Sequence, residues 1–278
     1  MTDIDRALVV GATGNIGRHA VALLHERGVA VRGMARDPAR LPAGIEPVRG
    51  DVRDPDALGR ALAGVDAALL IWPLPTADGI EAVAAAMAGE ARRVAYVSAL
   101  TVRDDRPPAE SGVWGEVEDA IRRTGVAWTF LRASGFAANT RQWAGNIRAG
   151  RVVRVAYPEA ARSLIHERDI AEVAARVLTE PGHAGAAYTL TGPAALTQAE
   201  QVRILAAAAG RPARVEAATP EEARAQLGWA DPGWAEAILR HWASLVDSPE
   251  PVTGTVERLT GTPARSFAQW AAEHAAEF

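Results

Sequence analysis

Arg6-Ala-Leu-Val-Val-Gly-Ala-Thr-Gly-Asn-Ile-Gly17 carries a short apolar run into glycines at 11, 14 and 17, and a helical pattern follows at once with Ile16, Ala20, Leu23 and Leu24 on one face. That order predicts strand, tight turn, helix. Glycine is needed where the backbone takes positive φ or comes within contact of a ligand. The first amides of the following helix lack intrahelical partners and sit at the positive end of its dipole. A dinucleotide pyrophosphate meets both conditions. Three glycines without that context would be an ordinary flexible loop; the strand before them and the apolar helix face after them favour the phosphate reading.

The next strand bears on which dinucleotide. Val29-Ala-Val-Arg-Gly-Met-Ala-Arg36 follows the first helix after Gly28, and its end falls where the adenosine ribose of a bound dinucleotide lies. An NAD site places Asp or Glu there to take the ribose hydroxyls, whereas an NADP site sets Arg against the 2′-phosphate. This chain offers Arg36, with Arg32 and Arg40 close by in sequence. Asp37 follows, but an Asp before Pro38 reads as the cap of a short turn. The expectation is NADP(H), with a solvated strand end as the plain alternative for Arg36.

Composition narrows the class. The chain has 278 residues, 49% of them hydrophobic, enough for one main domain with a smaller lobe. No apolar run has the length of a bilayer span, and the opening residues lead into the first strand without an apolar signal segment, so a cytoplasmic protein is expected. The absence of cysteine removes disulfides, thiol catalysis and thiolate metal sites. A net charge of −4 with interspersed signs gives no footprint for nucleic acid. All 30 basic residues are arginine, which forbids Schiff-base chemistry and any tyrosine-lysine proton relay. The sequence admits a homodimer without fixing subunit number.

Downstream, strand and helix keep alternating. Asp54-Pro55 opens a helix through Leu58 and Leu62 to Gly64; Val65 to Trp72 is a buried strand; Glu81 to Glu90 is helical; Arg93 to Leu100 and Val126 to Arg132 are strands flanking a helix over Gly115 to Thr124. Continuously apolar strands between helices predict an α/β, Rossmann-type doubly wound parallel sheet with ligand at the carboxyl ends of its strands. Gly11, Arg36, Asp51, Trp72 and Ser98 occupy those ends. Ile170, Val173, Ala174, Val177 and Leu178 mark a later helix behind Asp169. From about Ala187 the texture changes to short strands and capped helices, with capping boxes at Thr197-Gln-Ala-Glu200 and Thr219-Pro-Glu-Glu222 and a last helix starting at Thr262-Pro263. The expected division is therefore 1–186 for the dinucleotide-binding domain and 187–278 for a C-terminal α+β substrate lobe closing over the cleft.

Gly11-Ala-Thr-Gly-Asn-Ile-Gly17, Val31 to Arg36, Gly50-Asp-Val-Arg-Asp54, Leu131-Arg-Ala-Ser-Gly-Phe136, Asp169-Ile-Ala171, Tyr188-Thr-Leu-Thr-Gly-Pro193, Ala209-Gly-Arg-Pro212 and Gly261 to Trp270 together resemble the NmrA-like group of atypical short-chain dehydrogenase/reductase proteins. The likeness spans nearly the whole chain. It implies that Gly11, Thr13, Gly14, Asn15, Ile16 and Gly17 hold the pyrophosphate, Arg36 the 2′-phosphate, and Asp51 with Val52 the adenine. It also implies that Ile71, Trp72, Pro73 and Ser98 border the ribose and nicotinamide, with Ser134, Gly135 and Phe136 beside the carboxamide. One position departs from the wider superfamily. Where a Tyr-x-x-x-Lys pair stands on the helix after the fifth strand, this chain has Ser111-Gly-Val-Trp-Gly-Glu-Val-Glu118.

What remains for chemistry is mostly positioning, with Ser98 as a candidate donor to a developing oxyanion or else an ordinary polar strand end. His166, just before a helix, is a candidate general acid; a satisfied structural histidine is the commoner role. Trp114, Phe136, Asn139 and Trp143 could form a flat aromatic substrate pocket, or be plain core. Ile170 stands where a zinc-binding His-Glu-x-x-His helix needs its second histidine, and no metal is expected. The resulting expectation is an NADPH-dependent reductase of a quinone, enone or polycyclic aromatic metabolite, in natural-product tailoring among other settings. The competing readings are a cofactor-sensing regulator without turnover and a non-redox isomerase or cyclase.

Overall fold

In this computed structural model the described residues are 4–228 and 232–278. The opening stretch forms β1 (Arg6–Val10), a glycine turn and α1 (Gly17–Glu26). There follow β2 (Ala30–Ala35), a 3-10 turn over Pro38–Arg40, β3 (Glu46–Arg49), α2 (Pro55–Leu62), β4 (Ala67–Leu70), α3 (Ile80–Glu90), β5 (Arg93–Ala99), α4 (Gly112–Arg123) and β6 (Ala127–Ala133). The chain then runs through a 3-10 segment (Ala137–Trp143), α5 (Ala144–Arg148), β7 (Val152–Val155), β8 (Ala161–Arg162), α6 (Glu167–Thr179) and β9 (Ala186–Leu190). It closes with β10 (Leu196–Thr197), α7 (Gln198–Ala208), β11 (Arg214–Ala217), α8 (Pro220–Gln226), α9 (Pro232–Asp247), α10 (Thr255–Thr260) and α11 (Phe267–Glu273).

Seven strands pair in the order β3-β2-β1-β4-β5-β6-β9, and every pairing is parallel. The apolar runs explain this. Ala67-Ala-Leu-Leu70 is buried at all four positions, which suits a strand covered on both faces. The order reverses between β1 and β4, and in open α/β sheets ligands bind beyond the carboxyl ends of the strands at such a switch point. A core of Leu8, Met34, Leu58, Leu62, Leu70, Ile80, Met87, Tyr96, Ile121 and Phe130 packs α2, α3 and α4 on the sheet. Asp54 caps α2, accepting from the amides of Asp56 at 3.0 Å and Ala57 at 3.1 Å, with Pro55 in the first turn.

Two compact units emerge. The first contains 1–133, 167–190 and 255–262; the second contains 134–166, 191–254 and 263–278. The chain thus passes between units several times rather than switching once after residue 186. The reason is visible in the sheet: β9, which begins at Ala186, pairs with β6 along Thr129–Ala133 and so belongs with the parallel sheet. The second unit has two small sheets, β10 with β8 and β11 with β7, around a core of Trp143, Ile147, Val153, Leu205, Phe267, Trp270 and Phe278. Both expected capping boxes form, at Thr197–Glu200 and Thr219–Glu222. The last helix starts later than Thr262-Pro263, because Ser266 and Gln269 make its capping box.

Candidate functional site

In the first unit the carboxyl edge of the sheet is knit together by backbone. Gly11 adopts φ +78°, and its amide and that of Ala12 donate to Met34 O at 3.0 and 3.2 Å, tying the glycine turn to the end of β2. The Gly50 amide donates to Ala35 O at 3.1 Å, bringing the segment before Asp51 to the same place. A side chain at Gly11 would meet Ile71, so the turns after β1 and β4 lie in contact. A Cβ at Gly17 would overlap the Gly11 carbonyl oxygen; only glycine lets α1 start this close to the strand. Ile16 stands at the N-cap of α1, no side chain caps the helix, and its first turn holds no acidic residue. That leaves an amide-lined, positively polarised turn facing solvent.

Arg36 is exposed at the end of β2. Asp51 is held below its ordinary carboxylate range chiefly by the side-chain and backbone hydrogen bonds from Arg53, with the charge of Arg36 adding to it. Arg32, close to Arg36 in sequence, is committed elsewhere: it donates to Glu46 and to the carbonyls of Arg60, Ala61 and Ala63 at the end of α2. Asp37 caps its turn through the Ala39 amide. Val52 is buried in the core, so its side chain is not offered to a ligand. Trp72 donates Nε1 to Thr76 O at 2.8 Å and packs on the same core, and Pro73 is exposed.

Ser98 is buried near the end of β5 and donates to Glu118 Oε1 at 2.6 Å. Glu118, fully buried on α4, also receives Arg132 Nε at 3.0 Å and Nη2 at 2.7 Å. Arg132 continues to Asp104 at 2.8 and 2.6 Å, and Arg122 reaches Asp104 at 2.9 Å. Asp104 is pulled down to about 2 by its hydrogen bonds from Arg132. The Tyr96 hydroxyl beside this group is buried without a hydrogen-bond partner, and burial raises its pKa. The reading of Ser98 as a donor to substrate therefore gives way to a structural hydrogen bond. Sequence reasoning missed Glu118 and Arg132. The signal was a carboxylate at 118 inside the Trp114, Val117, Ile121 stripe, an apolar position that must be paired when charged.

In the second unit Ser134 donates to Ser163 O at 2.5 Å, while the Ile165 amide donates to Gly135 O and the Ala137 amide to Ile165 O, both at 2.9 Å. Phe136, half-buried, bridges to Ile165. Asn139 is exposed. Trp143 is 5% exposed in the core of this unit, which takes it out of an open pocket wall. Trp114, in the first unit, packs half-buried against the sheet core. His166 is buried, with Nε2 3.2 Å from Glu273 Oε2, so it has the partner a structural histidine requires. Among the described residues no cluster of histidine, cysteine, aspartate and glutamate could hold a metal, and no helix is long and apolar enough to cross a membrane.

A family model described as NAD(P)H-binding matches residues 11–181. The (4-alkanoyl-5-oxo-2,5-dihydrofuran-3-yl)methyl phosphate reductase of Streptomyces griseus subsp. griseus is 41% identical over 280 residues, covering 98% of each chain. The NAD(P)H azoreductase of Xenophilus azovorans is 37% identical, again over 98% of each. Among solved structures, the NADPH-dependent quinone oxidoreductase of Escherichia coli complexed with NADPH superposes with a TM-score of 0.80 at 25% identity, over 96% of this chain and 99% of that one.

Proposed function

This chain is an oxidoreductase of the NAD(P)H-binding family, and from that premise we propose that it uses NADPH to reduce a small electrophilic acceptor: a quinone, a conjugated enone or a polycyclic aromatic metabolite. The observation that carries the reading is the glycine turn, where a Cβ at Gly17 would fill the space against the Gly11 carbonyl at an uncapped helix start. Such a cradle suits a diphosphate. Thr13, Gly14, Asn15 and Ile16 would complete the pyrophosphate contacts and Arg36 would take the 2′-phosphate. Asp51 and the Val52 backbone would border the adenine, Ile71 to Pro73 the ribose, and Ser134 to Phe136 the carboxamide.

Bound there, the reduced nicotinamide supplies a hydride. The chain's contribution is positioning. Its backbone turns fix the coenzyme, and the half-buried Phe136 offers an apolar face to a ring. The Ser98 hydroxyl donates to Glu118, and His166 is buried with Nε2 3.2 Å from Glu273, so a proton from water is the simplest source. An acceptor that is already electrophilic, protonated from water after hydride arrival, fits that inventory. The three relatives, whose names specify a furanone phosphate, azo compounds and quinones, share that electrophilic character.

The test is NADPH oxidation against a panel of quinones, enones and azo dyes, with one NADPH consumed per quinone or enone reduced and two per azo bond cleaved to amines. Consumption with at least one class is expected. Tight NADPH binding without consumption would instead establish a cofactor sensor, and acceptor conversion without NADPH loss would establish an isomerase.

A further inference from the structure

Building on the reductase reading, we infer that Arg162 is an anion anchor, and that the preferred acceptor is amphiphilic, bearing a phosphate or carboxylate together with an apolar substituent. Arg162 ends β8, its side chain 16% exposed. Its Nε lies 3.3 Å from Glu250 Oε1, and that carboxylate is 1% exposed. Glu250 is otherwise saturated: Oε2 accepts the Ser163 amide at 3.0 Å and hydroxyl at 3.4 Å, and His241 Nε2 stands 3.6 Å from Oε1. Burial alone would push Glu250 up, but His241, Arg162 and the Ser163 amide together hold it below its ordinary value, so it stays an anion and a fixed support.

Glu250 therefore grips the guanidinium through a single nitrogen. Among the described residues, the two terminal nitrogens of Arg162 meet no acceptor. Its carbon lies 5.9 Å over the Trp242 ring, which holds the plane of the fork without using its hydrogens. Nη2 lies against Gly135, where any Cβ would overlap it. A side chain at position 135 would press on this guanidinium and on Leu164, inside the segment that the family resemblance puts beside the carboxamide. Arg162 also lines a cavity of about 210 Å³, mostly with apolar side chains such as Leu164, Leu196, Ile204 and Phe267, and with Gln201 and Ser266.

Two unpaired N–H donors in a rigid fork, on the wall of an apolar cavity, match a bidentate oxyanion attached to an apolar group. The Arg162–Glu250 pair carries no net charge, so recognition comes from directed donors, and a neutral acceptor would leave those donors unpaired. Of the other polar side chains in the wall, Gln201 donates Nε2 to Leu196 O and Ser266 caps α11, so neither offers such a fork.

The experiment compares a neutral conjugated lactone, its methyl phosphate ester and its methyl carboxylate as acceptors, in the wild type, Arg162→Lys, Arg162→Gln and Arg162→Gln/Glu250→Gln. The double variant keeps Glu250 from being a buried unpaired charge. In the wild type, kcat/KM for at least one anionic acceptor should exceed that for the neutral one at least tenfold. The ratio should fall toward one in both Gln variants and recover partly with Lys. Calorimetry of hexyl phosphate and heptanoate with the coenzyme-loaded protein provides a second reading, with binding weakened at least tenfold by Arg162→Gln/Glu250→Gln; the stronger of the two names the anion. An anionic preference that survives in both Gln variants would overturn the assignment, as would a wild type that neither prefers nor binds either anion. If no lactone, quinone or azo acceptor is reduced but hexyl phosphate binds through Arg162, the redox reading fails and the anchor stands.

Discussion

Ser98 donates its hydroxyl hydrogen to Glu118 at 2.6 Å, tying the end of β5 to α4. Glu118 is wholly buried and also carries two bonds from Arg132, so the group works as an internal brace between β5, α4 and β6. Removing one partner of a buried pair costs more than the pair contributes, because the other charge is left unpaired. Glu118→Gln should destabilise the protein by about 3 kcal/mol, and Ser98→Ala by about 1 kcal/mol. Urea unfolding measures both, and kcat/KM of Ser98→Ala should stay within about threefold of wild type since its rate role would exceed that. A hundredfold loss on Ser98→Ala with an unchanged urea midpoint would return Ser98 to the chemistry.

Tyr96 sits beside that brace with a hydroxyl that has no partner. A buried unsatisfied hydroxyl carries a desolvation cost that phenylalanine escapes while keeping the edge-to-face contact with Phe130. Tyr96→Phe should therefore be neutral or raise stability by up to about 1 kcal/mol. A loss of 2 kcal/mol or more would reveal a hidden hydrogen bond, and a rise in melting temperature would agree with the unsatisfied hydroxyl.

Arg36 offers the sharpest test of coenzyme choice. Exposed at the end of β2 and close enough to Asp51 to help keep that carboxylate ionised, it stands at the ribose end of the expected site. Arg36→Ala should weaken NADPH binding at least tenfold more than NADH binding, measured by calorimetry. Equal losses for the two nucleotides would remove Arg36 from the 2′-phosphate.

The central strands β1, β4, β5 and β6 were legible because each is a largely apolar run, a local signal read along the chain, whereas β3, Glu46-Pro-Val-Arg49, carries no such pattern and went unread. Asp54-Pro55, Thr197 to Glu200 and Thr219 to Glu222 behaved as caps for the same reason. What the sequence hid is non-local. Residues 134–166 leave the sheet and β9 returns to it, a pairing set by contacts with β6 that no local pattern encodes. Arg162 and Glu250 lie 88 positions apart, and Arg162 looks like any of the chain's other arginines until Glu250 is seen beneath it. Trp143 carries the same spacing as a pocket aromatic; only its burial assigns it to the core.

Gly17 links fold to coenzyme. Gly17→Ala would push the start of α1 away from the Gly11 carbonyl, displacing the amides of the turn. At Gly28, φ is +80° but nothing lies within contact of an added Cβ, so Gly28→Ala carries only backbone strain. Both variants should lower stability, Gly28→Ala by about 1 kcal/mol. Only Gly17→Ala should also reduce NADPH affinity in the folded fraction, by tenfold or more. Matching affinities for the two folded variants would mean that the turn tolerates the shift and that the diphosphate is held elsewhere.

Asp104 sets an acid limit on stability. Arg132 lowers its pKa from 3.8 to about 2 in the folded protein, and Arg132 itself cannot give up its proton in this range. A depressed folded-state pKa means the unfolded chain binds the proton first, so the contribution is fully present above pH 3.8 and is lost as pH falls toward 2. Asp104 is largely exposed, and solvent screening reduces the effect below what the shift alone would suggest. Asp104→Asn should flatten the fall of the urea midpoint between pH 4 and 2 and leave Arg132 resting on Glu118 alone. An unaltered acid slope in that variant would place the acid-sensitive group at another lowered carboxylate, with Glu250 first in line because its supporting bonds are buried.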